Sequence, residues 1–251
     1  MLAATDGSPV LLHLRCAVVG DGRLGRALVG SLPWLEGPFR RGFTGADFDL
    51  VLLAVPDGEI VSAATAIRPG PMVGHCAGSL GLDVLAPHEA FGLHPLMTVT
   101  RAGADFAGAG AAIAGSTPRA LSAARAVANA LGLQPVEIAD NDRAAYHAAA
   151  SIASNFLVTL EDAAEVMLRT VGADRSALVP LVRATLANWA SLGATDALTG
   201  PIARGDEATV ARQRAAIVER APELALLFDA LCERTRAIAA RAGDGDGHGA
   251  H

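Results

Sequence analysis

Three glycines near the start of the sequence have a spacing that can bind phosphate groups. Gly20, Gly22 and Gly25 form a Gly-x-Gly-x-x-Gly pattern between an apolar run and a helical run. In such a turn the first glycine permits a tight bend, the second lets the backbone approach a pyrophosphate, and the third lets helix and strand pack closely. An ordinary strand-to-helix turn is the alternative. The pattern predicts a dinucleotide site formed by Gly20, Gly22, Arg23, Leu24 and Gly25.

Two adjacent arginines bear on which dinucleotide would bind. Arg40 and Arg41 follow a predicted strand over residues 34–37. Guanidinium groups bind phosphate through paired hydrogen bonds, which suits the 2′-phosphate of NADP. Glu36 could instead accept a hydrogen bond from ribose, as in NAD enzymes. We expect NADP, and NAD is the alternative. The two arginines could also belong to a solvated turn that binds no cofactor.

A second buried strand is predicted over residues 49–55, and it leads into the sequence Val55-Pro56-Asp57. The carboxyl ends of parallel strands are where α/β folds bind ligands. We therefore expect Val55, Pro56 and Asp57 to contact the cofactor. A helix cap is an equal alternative for Asp57.

The candidates for a proton donor are few, because the sequence contains no lysine and only one tyrosine. His94 follows a short strand predicted over residues 90–93, and His147 lies on a predicted helix. Histidines titrate near neutral pH, which suits general acid catalysis. Tyr146 would need a cation to lower its pKa, and there is no lysine to supply one. Each histidine could also be a structural group satisfied by its neighbours.

A polar stripe is predicted on the long helical segment over residues 142–171. His147, Ser151 and Asn155 are spaced by four residues, so they share one helix face. We expect Asn155 to orient the reacting atom and Ser151 to contact the substrate. Ile152 and Phe156 belong to a neighbouring apolar stripe that should face the core. Buried polar groups satisfied by other helices are the alternative reading.

A polar loop is predicted immediately before a helix that Asp206 should cap. Its residues Thr199, Gly200 and Arg204 offer a hydroxyl, free N–H groups and a guanidinium, which together can hold a carboxylate. A capped turn between helices is the alternative.

The elements that position these residues change character near residue 140. Strands and helices alternate as far as residue 138, which predicts an α/β Rossmann-type domain with a parallel sheet and helical crossovers. Helical patterns follow, so the second domain is predicted to be all-α. The expected boundaries are 1–140, 141–242 and a disordered tail over 243–251.

Composition excludes several classes of protein. The net charge of −6 argues against nucleic-acid binding. No apolar run reaches the 18 or so residues of a membrane span. Three separated cysteines are typical of a reducing compartment, which predicts a cytoplasmic protein. The cysteines and histidines do not have the spacing of metal ligands, so the sequence does not predict a metal site.

Blocks of sequence along nearly the whole chain resemble the Rossmann-like proteins that carry the DUF2520 helical domain. That family is similar in layout to pyrroline-5-carboxylate reductase, ketopantoate reductase and the 6-phosphogluconate dehydrogenase superfamily. The resemblance implies an NAD(P)-binding domain and a helical domain that forms a homodimer, with substrate between them. The catalytic lysine of two of those groups has no counterpart here. The blocks are Ala54-Val55-Pro56-Asp57, Gly92-Leu93-His94-Pro95-Leu96, Tyr146-His147-Ala148-Ala149-Ala150, Ala153-Ser154-Asn155, Ala197-Leu198-Thr199-Gly200-Pro201 and Arg204-Gly205-Asp206.

The combined expectation is an NADP-dependent oxidoreductase that reduces a small oxo or imino acid at the cleft between the domains. The resemblance suggests ketopantoate as a first substrate to try. A protein that binds or senses NADP(H) without catalysis is the alternative function.

Overall fold

In a computed structural model, which describes residues 14–245, the chain divides into two units. One unit extends to Asn155 and the other begins at Phe156. The last helix continues to Gly245, and residues 246–251 of the expected disordered tail lie outside the described residues.

Seven strands of the first unit form one sheet in the order β2-β1-β3-β4-β5-β6-β7. Strands β2 and β3 lie on opposite sides of β1. This reversal of the strand order opens a crevice at the carboxyl ends of β1 and β3. The strands are β1 (Cys16–Val19), β2 (Leu35–Phe39), β3 (Leu50–Leu53), β4 (Met72–His75), β5 (Ala90–Leu96), β6 (Gly110–Gly115) and β7 (Gln134–Glu137).

The central strands are buried on both faces, as their uninterrupted apolar sequences predict. In β1, Cys16 and Val18 contact one hydrophobic cluster, while Ala17 and Val19 contact another on the opposite face. This alternation follows from the two-residue period of a strand. The predicted α/β Rossmann-type fold is therefore confirmed.

The predicted parallel sheet has one exception among its described strand pairs. Strand β6 runs antiparallel to β5, with His94 opposite Ala112, and all the other pairs in the described sheet are parallel. A parallel pair requires a crossover, usually a helix. The segment between Leu96 and Gly110 contains no helix, so the chain returns in the opposite direction.

The part of the first unit that the structure describes also contains four α-helices. Helix α1 (Arg23–Ser31) follows the glycine turn, α2 (Ile60–Ala66) follows β3 and α3 (Pro118–Ala130) follows β6. Thr117 caps α3 by accepting a hydrogen bond from the Ala120 N–H, as expected for this residue type. Helix α4 (Arg143–Ser151) ends in a π-helical segment, Ile152–Phe156.

The second unit consists of α5 (Leu157–Arg169), α6 (Val179–Ala197), α7 (Glu207–Arg220) and α8 (Ala225–Gly245). Ion pairs between Arg214 and Asp229 and between Arg236 and Glu207 link α7 to α8. Among the described residues, no helix is long and apolar enough to cross a membrane.

The predicted single helix over 142–171 is interrupted, and its apolar stripe does not face a core. Ile152 and Phe156 are 61% and 56% exposed. The π-helical turn between α4 and α5 widens the spacing of side chains, so the i, i+4 pattern no longer defines one straight stripe.

Candidate functional site

The glycine turn joins the end of β1 to the start of α1, as predicted. Gly20 has φ +122°, and a Cβ there would lie 2.3 Å from the Ala54 carbonyl oxygen. A Cβ at Gly25 would lie 1.9 Å from the Gly20 carbonyl oxygen. These two glycines therefore allow the turn, β3 and α1 to pack together. Leu24 packs against the core of the sheet.

Gly22 differs because a Cβ there would meet no described atom within 4 Å. It occupies the N-cap position of α1, and no described side chain caps the helix. The first N–H groups of α1 therefore have no side-chain cap, and the space beside Gly22 is open. Backbone N–H groups and the positive end of the helix dipole favour an anion at this position.

A cavity of about 480 Å³ lies beside this turn. Arg40 and Arg41 line one side of it, and Val55 and Pro56 line another. Both guanidinium groups are exposed at the carboxyl edge of the sheet, where Arg40 lies 3.7 Å from Asp21 and Arg41 lies 2.7 Å from Glu59. These surface ion pairs contribute little stability, so a phosphate could replace the carboxylates.

The structure does not support two alternative predictions for this region, namely Glu36 as the ribose acceptor and Asp57 as a helix cap. Glu36 forms an ion pair with Arg15, which precedes β1 and therefore lies at the amino edge of the sheet. That location excludes Glu36 as the ribose acceptor at the carboxyl edge. Asp57 accepts a hydrogen bond from the Ser79 hydroxyl at 3.2 Å and makes no helix-capping hydrogen bond.

A second cavity of about 900 Å³ lies next to the glycine turn, since Arg23 lines it at the first position of α1. Side chains from β5, the segment after it, α4 and the π-helical segment line this cavity. The polar ones include His94, Tyr146, His147, Ser151, Ser154 and Asn155, and the apolar ones include Leu96, Met97 and Val99.

His94 and Tyr146 form the central contact of this cavity. His94 lies within β5 and does not follow it, and its Nδ1 is 2.9 Å from the Tyr146 hydroxyl. His147 is close by, with its ring centroid 6.1 Å from that of His94. A Cβ at Gly78 would lie 2.7 Å from His147 Cδ2 and 2.9 Å from His94 Cε1, so only glycine leaves room for both rings.

Burial sets the charge of this pair. It lowers the pKa of His94 to about 4, and the charge of His147 contributes in the same direction. Burial also raises the pKa of Tyr146. Both groups are therefore uncharged at neutral pH, and the expectation that His94 titrates near neutral pH is wrong because the imidazole is largely removed from water.

The π-helical segment brings the remaining polar residues to this cavity. Ser151 ends α4, and Ser154 and Asn155 lie within the segment, yet all three line the same cavity. π-Helical turns occur frequently at functional sites. The sequence signal for this turn is weak, because neither glycine nor proline occurs between residues 151 and 156.

Two residues of this region were missed or set aside by sequence reasoning. Tyr146 was discounted because no lysine accompanies it, and Arg143 was not considered. The signal that could have found Arg143 is its position three residues before Tyr146, which places both on one helix face.

The predicted carboxylate loop belongs to the second unit. Thr199, Gly200 and Arg204 lie between α6 and α7, and Gly200 has φ +99°. Asp206 caps α7 as predicted, accepting hydrogen bonds from the Thr209 N–H and hydroxyl. The role of this loop toward a substrate stays a prediction.

Several solved structures share this fold. Protein TM1727 from Thermotoga maritima is 21% identical, with a TM-score of 0.77 over 90% of this chain and 98% of its own. A proposed NADP oxidoreductase from Bacteroides fragilis, BF3122, is 18% identical, with a TM-score of 0.73 over 88% and 97%. The NADP-bound pyrroline carboxylate reductase of Plasmodium falciparum is 13% identical, with a TM-score of 0.54 over 90% and 98%. At these identities the likeness shows the fold alone.

Two protein families match the sequence. The family described as Rossmann-like domain matches residues 43–99, and the domain of unknown function DUF2520 matches residues 110–235. No curated protein matches the chain. Since the second match covers half of the sequence, the chain belongs to the DUF2520 family.

Proposed function

We propose that the chain is an NADP-dependent oxidoreductase that reduces the C=O or C=N group of a small oxo or imino acid. The observation that carries this proposal is the cavity beside the glycine turn, in which His94 and Tyr146 form a hydrogen bond. The fold supports it, because a similar structure is a pyrroline carboxylate reductase with NADP bound.

The residues of the first unit fit this cofactor. The open space at Gly22 and the uncapped start of α1 suit a pyrophosphate, and Arg40 and Arg41 suit a 2′-phosphate. Val55 and Pro56 line the same cavity and would contact the adenosine half. When bound, NADPH supplies a hydride. NAD stays the alternative cofactor, and the two arginines favour NADP over it.

Replacing Arg40 and Arg41 together by alanine is expected to weaken NADPH binding about tenfold or more, a loss of about 1.4 kcal/mol. The reason is that NADPH alone carries a 2′-phosphate for the guanidinium groups to bind. NADH binding should change little. Calorimetric titration of both nucleotides measures this, with Arg125→Ala as a control because Arg125 is exposed and pairs only with Glu137 among the described ion pairs. An equal loss for both nucleotides would contradict the assignment.

The large cavity fits a small anionic substrate. Arg23 is the only cationic side chain that lines it among the described residues, and a carboxylate could bind there next to the start of α1. Asn155 and Ser151 also line this cavity and would orient the reacting oxygen or nitrogen. Thr199, Gly200 and Arg204 form the second proposed carboxylate site.

The proton required for reduction comes from the group formed by His94, Tyr146 and His147. His94 is uncharged at neutral pH and therefore acts through its hydrogen bond to Tyr146. His147 lines the cavity beside this pair and is the other candidate donor.

An absorbance assay of NADPH oxidation tests the function. The panel contains 2-oxo acids, ketopantoate among them, and cyclic imines that carry a carboxylate. We expect oxidation of NADPH with at least one member of the panel and weaker activity with its ester, which lacks the charge for Arg23. Tight binding of NADPH without oxidation by any member would favour the alternative of a non-catalytic NADP(H)-binding protein.

We also propose that the chain forms a homodimer through its helical half. Helix α6 contains no buried residue, and Trp189 and Leu181 on it are 58% and 63% exposed. Exposed apolar patches of this kind mark association surfaces. Sedimentation at micromolar concentration is expected to give about twice the 25.5 kDa of one chain, and Trp189→Glu should shift the protein toward the monomer. A wild-type protein that sediments as a monomer contradicts this proposal.

A further inference from the structure

Arg143 is a buried cation that is only partly neutralised. Its side chain is 2% exposed, and its Nε donates to Asp140 Oδ1 at 2.8 Å. Its Nη2 has no hydrogen-bond partner among residues 14–245. Burying a charged group with an unsatisfied nitrogen destabilises the folded state. Asp140, the partner of Arg143, has half of its side chain exposed to water. The fold therefore tolerates a positive charge in a position that packing alone would not favour.

The guanidinium packs against β5, the strand that carries His94. A Cβ at Gly92 would be 2.7 Å from Arg143 Nη2, so the guanidinium occupies the space where a side chain of residue 92 would begin. Residues 92 and 94 of β5 point to the same face of the sheet because strand side chains alternate. Arg143 and Tyr146 share a face of α4, being three residues apart. The cation therefore lies on the face of β5 and of α4 that carries the two rings, and its charge acts on both.

We propose that Tyr146 donates the proton in the reduction and that Arg143 is the positioning residue that stabilises the phenolate left behind. This inference rests on the proposed oxidoreductase function. Reduction adds a hydride to the carbon and a proton to the oxygen or nitrogen of one double bond. The hydride comes from NADPH, and the proton comes from the Tyr146 O–H bond, which breaks as the new O–H or N–H bond forms. The phenolate then regains a proton from water.

The surrounding charges agree with this division of roles. Burial raises the pKa of Tyr146, whereas a hydrogen bond with the Ala112 backbone and the charge of Arg143 both act to lower it. Arg143 and His75 of β4 both help to keep His94 neutral, and Asp57 acts in the opposite direction. A neutral His94 can carry its proton on Nδ1 and donate it to the phenolate oxygen at 2.9 Å. The other groups near the pair are His147, whose ring contacts that of His94, and Asp140, which forms an ion pair with Arg143.

The proposal predicts opposite shifts in two variants. Arg143→Gln removes the cation and should raise the pKa of Tyr146 by about one unit or more. Asp140→Asn keeps an acceptor for Arg143 Nε but removes the compensating negative charge, so it should lower the pKa of Tyr146. Arg143→Lys should lie close to wild type, and Arg125→Gln serves as the control for removing an exposed arginine.

Tyr146 is the only tyrosine in the sequence, so its ionisation can be measured without interference. We would replace it biosynthetically with 3-fluorotyrosine, which ionises at lower pH, and follow the single ¹⁹F resonance during titration of the full chain. This measurement needs neither cofactor nor substrate, so it remains informative if the proposed function fails. Loss of NADPH oxidation in Arg143→Gln with partial rescue by Arg143→Lys is the activity counterpart.

Shifts in opposite directions support the proposal. An unchanged pKa in Asp140→Asn, or shifts in the same direction in both variants, overturns it. If Arg143→Gln does not fold, Asp140→Asn decides the outcome, because the half-exposed Asp140 is not part of the core.

Discussion

Gly22→Val is expected to abolish NADPH binding while leaving the fold intact. Gly22 has φ −83° and ψ −176°, an extended conformation that valine adopts readily, and a Cβ there meets no described atom within 4 Å. The added side chain would fill the space that the pyrophosphate requires at the start of α1. We expect an affinity loss of about 100-fold or more, equivalent to about 2.7 kcal/mol, by calorimetric titration.

The control for this variant is Gly20→Ala. A Cβ at Gly20 would lie 2.3 Å from the Ala54 oxygen, and its φ of +122° is strained for alanine. Gly20→Ala should therefore lower the melting temperature, whereas Gly22→Val should not. Normal NADPH affinity in folded Gly22→Val would place the cofactor elsewhere.

Tyr146→Phe is expected to reduce kcat by about 10²- to 10⁴-fold, the usual contribution of a positioned general acid. The variant lacks only the hydroxyl, so the shape of the cavity remains and NADPH affinity should not change. His94 Nδ1 loses its partner, which costs about 1 kcal/mol of stability. Steady-state kinetics, nucleotide titration and thermal unfolding measure these three effects separately.

His147→Gln is the comparison for Tyr146→Phe. It changes the other candidate donor that lines the same cavity. If Tyr146→Phe retains most of the wild-type kcat and His147→Gln does not, His147 delivers the proton and the role proposed for Tyr146 is wrong.

The first half of the fold could be predicted because its signals are local. The buried run before Val19, the glycine pattern and the helix after it lie together in sequence, and each has a direct physical reason. The location of Arg40 after β2 follows in the same way, although the strand extends to Phe39 and not only to residue 37.

The direction of β6 could not be predicted in this way. It depends on whether the long segment after Leu96 forms a crossover helix, and this segment has no clear period. The antiparallel return keeps His94 in the interior of β5, where burial lowers its pKa to about 4. The expectation for His94 assumed a position after the strand, and the structure places the residue within it.

The chemistry of the cavity depends on contacts between distant parts of the sequence. His94 and Tyr146 are 52 residues apart, and their hydrogen bond follows from how α4 packs on β5. The absence of lysine suggested that no cation lies near Tyr146. Arginine was not considered for this role because its side chain is usually exposed to water. Gly92 provides the space that allows Arg143 to be buried, and no sequence pattern reveals that.

Titration of the wild-type protein with NADPH and NADH by calorimetry tests the central claim most directly. We expect saturable heat with one NADPH bound per chain and clearly weaker binding of NADH. Folded protein that gives no heat with either nucleotide would contradict both the cofactor site and the reaction assigned to it.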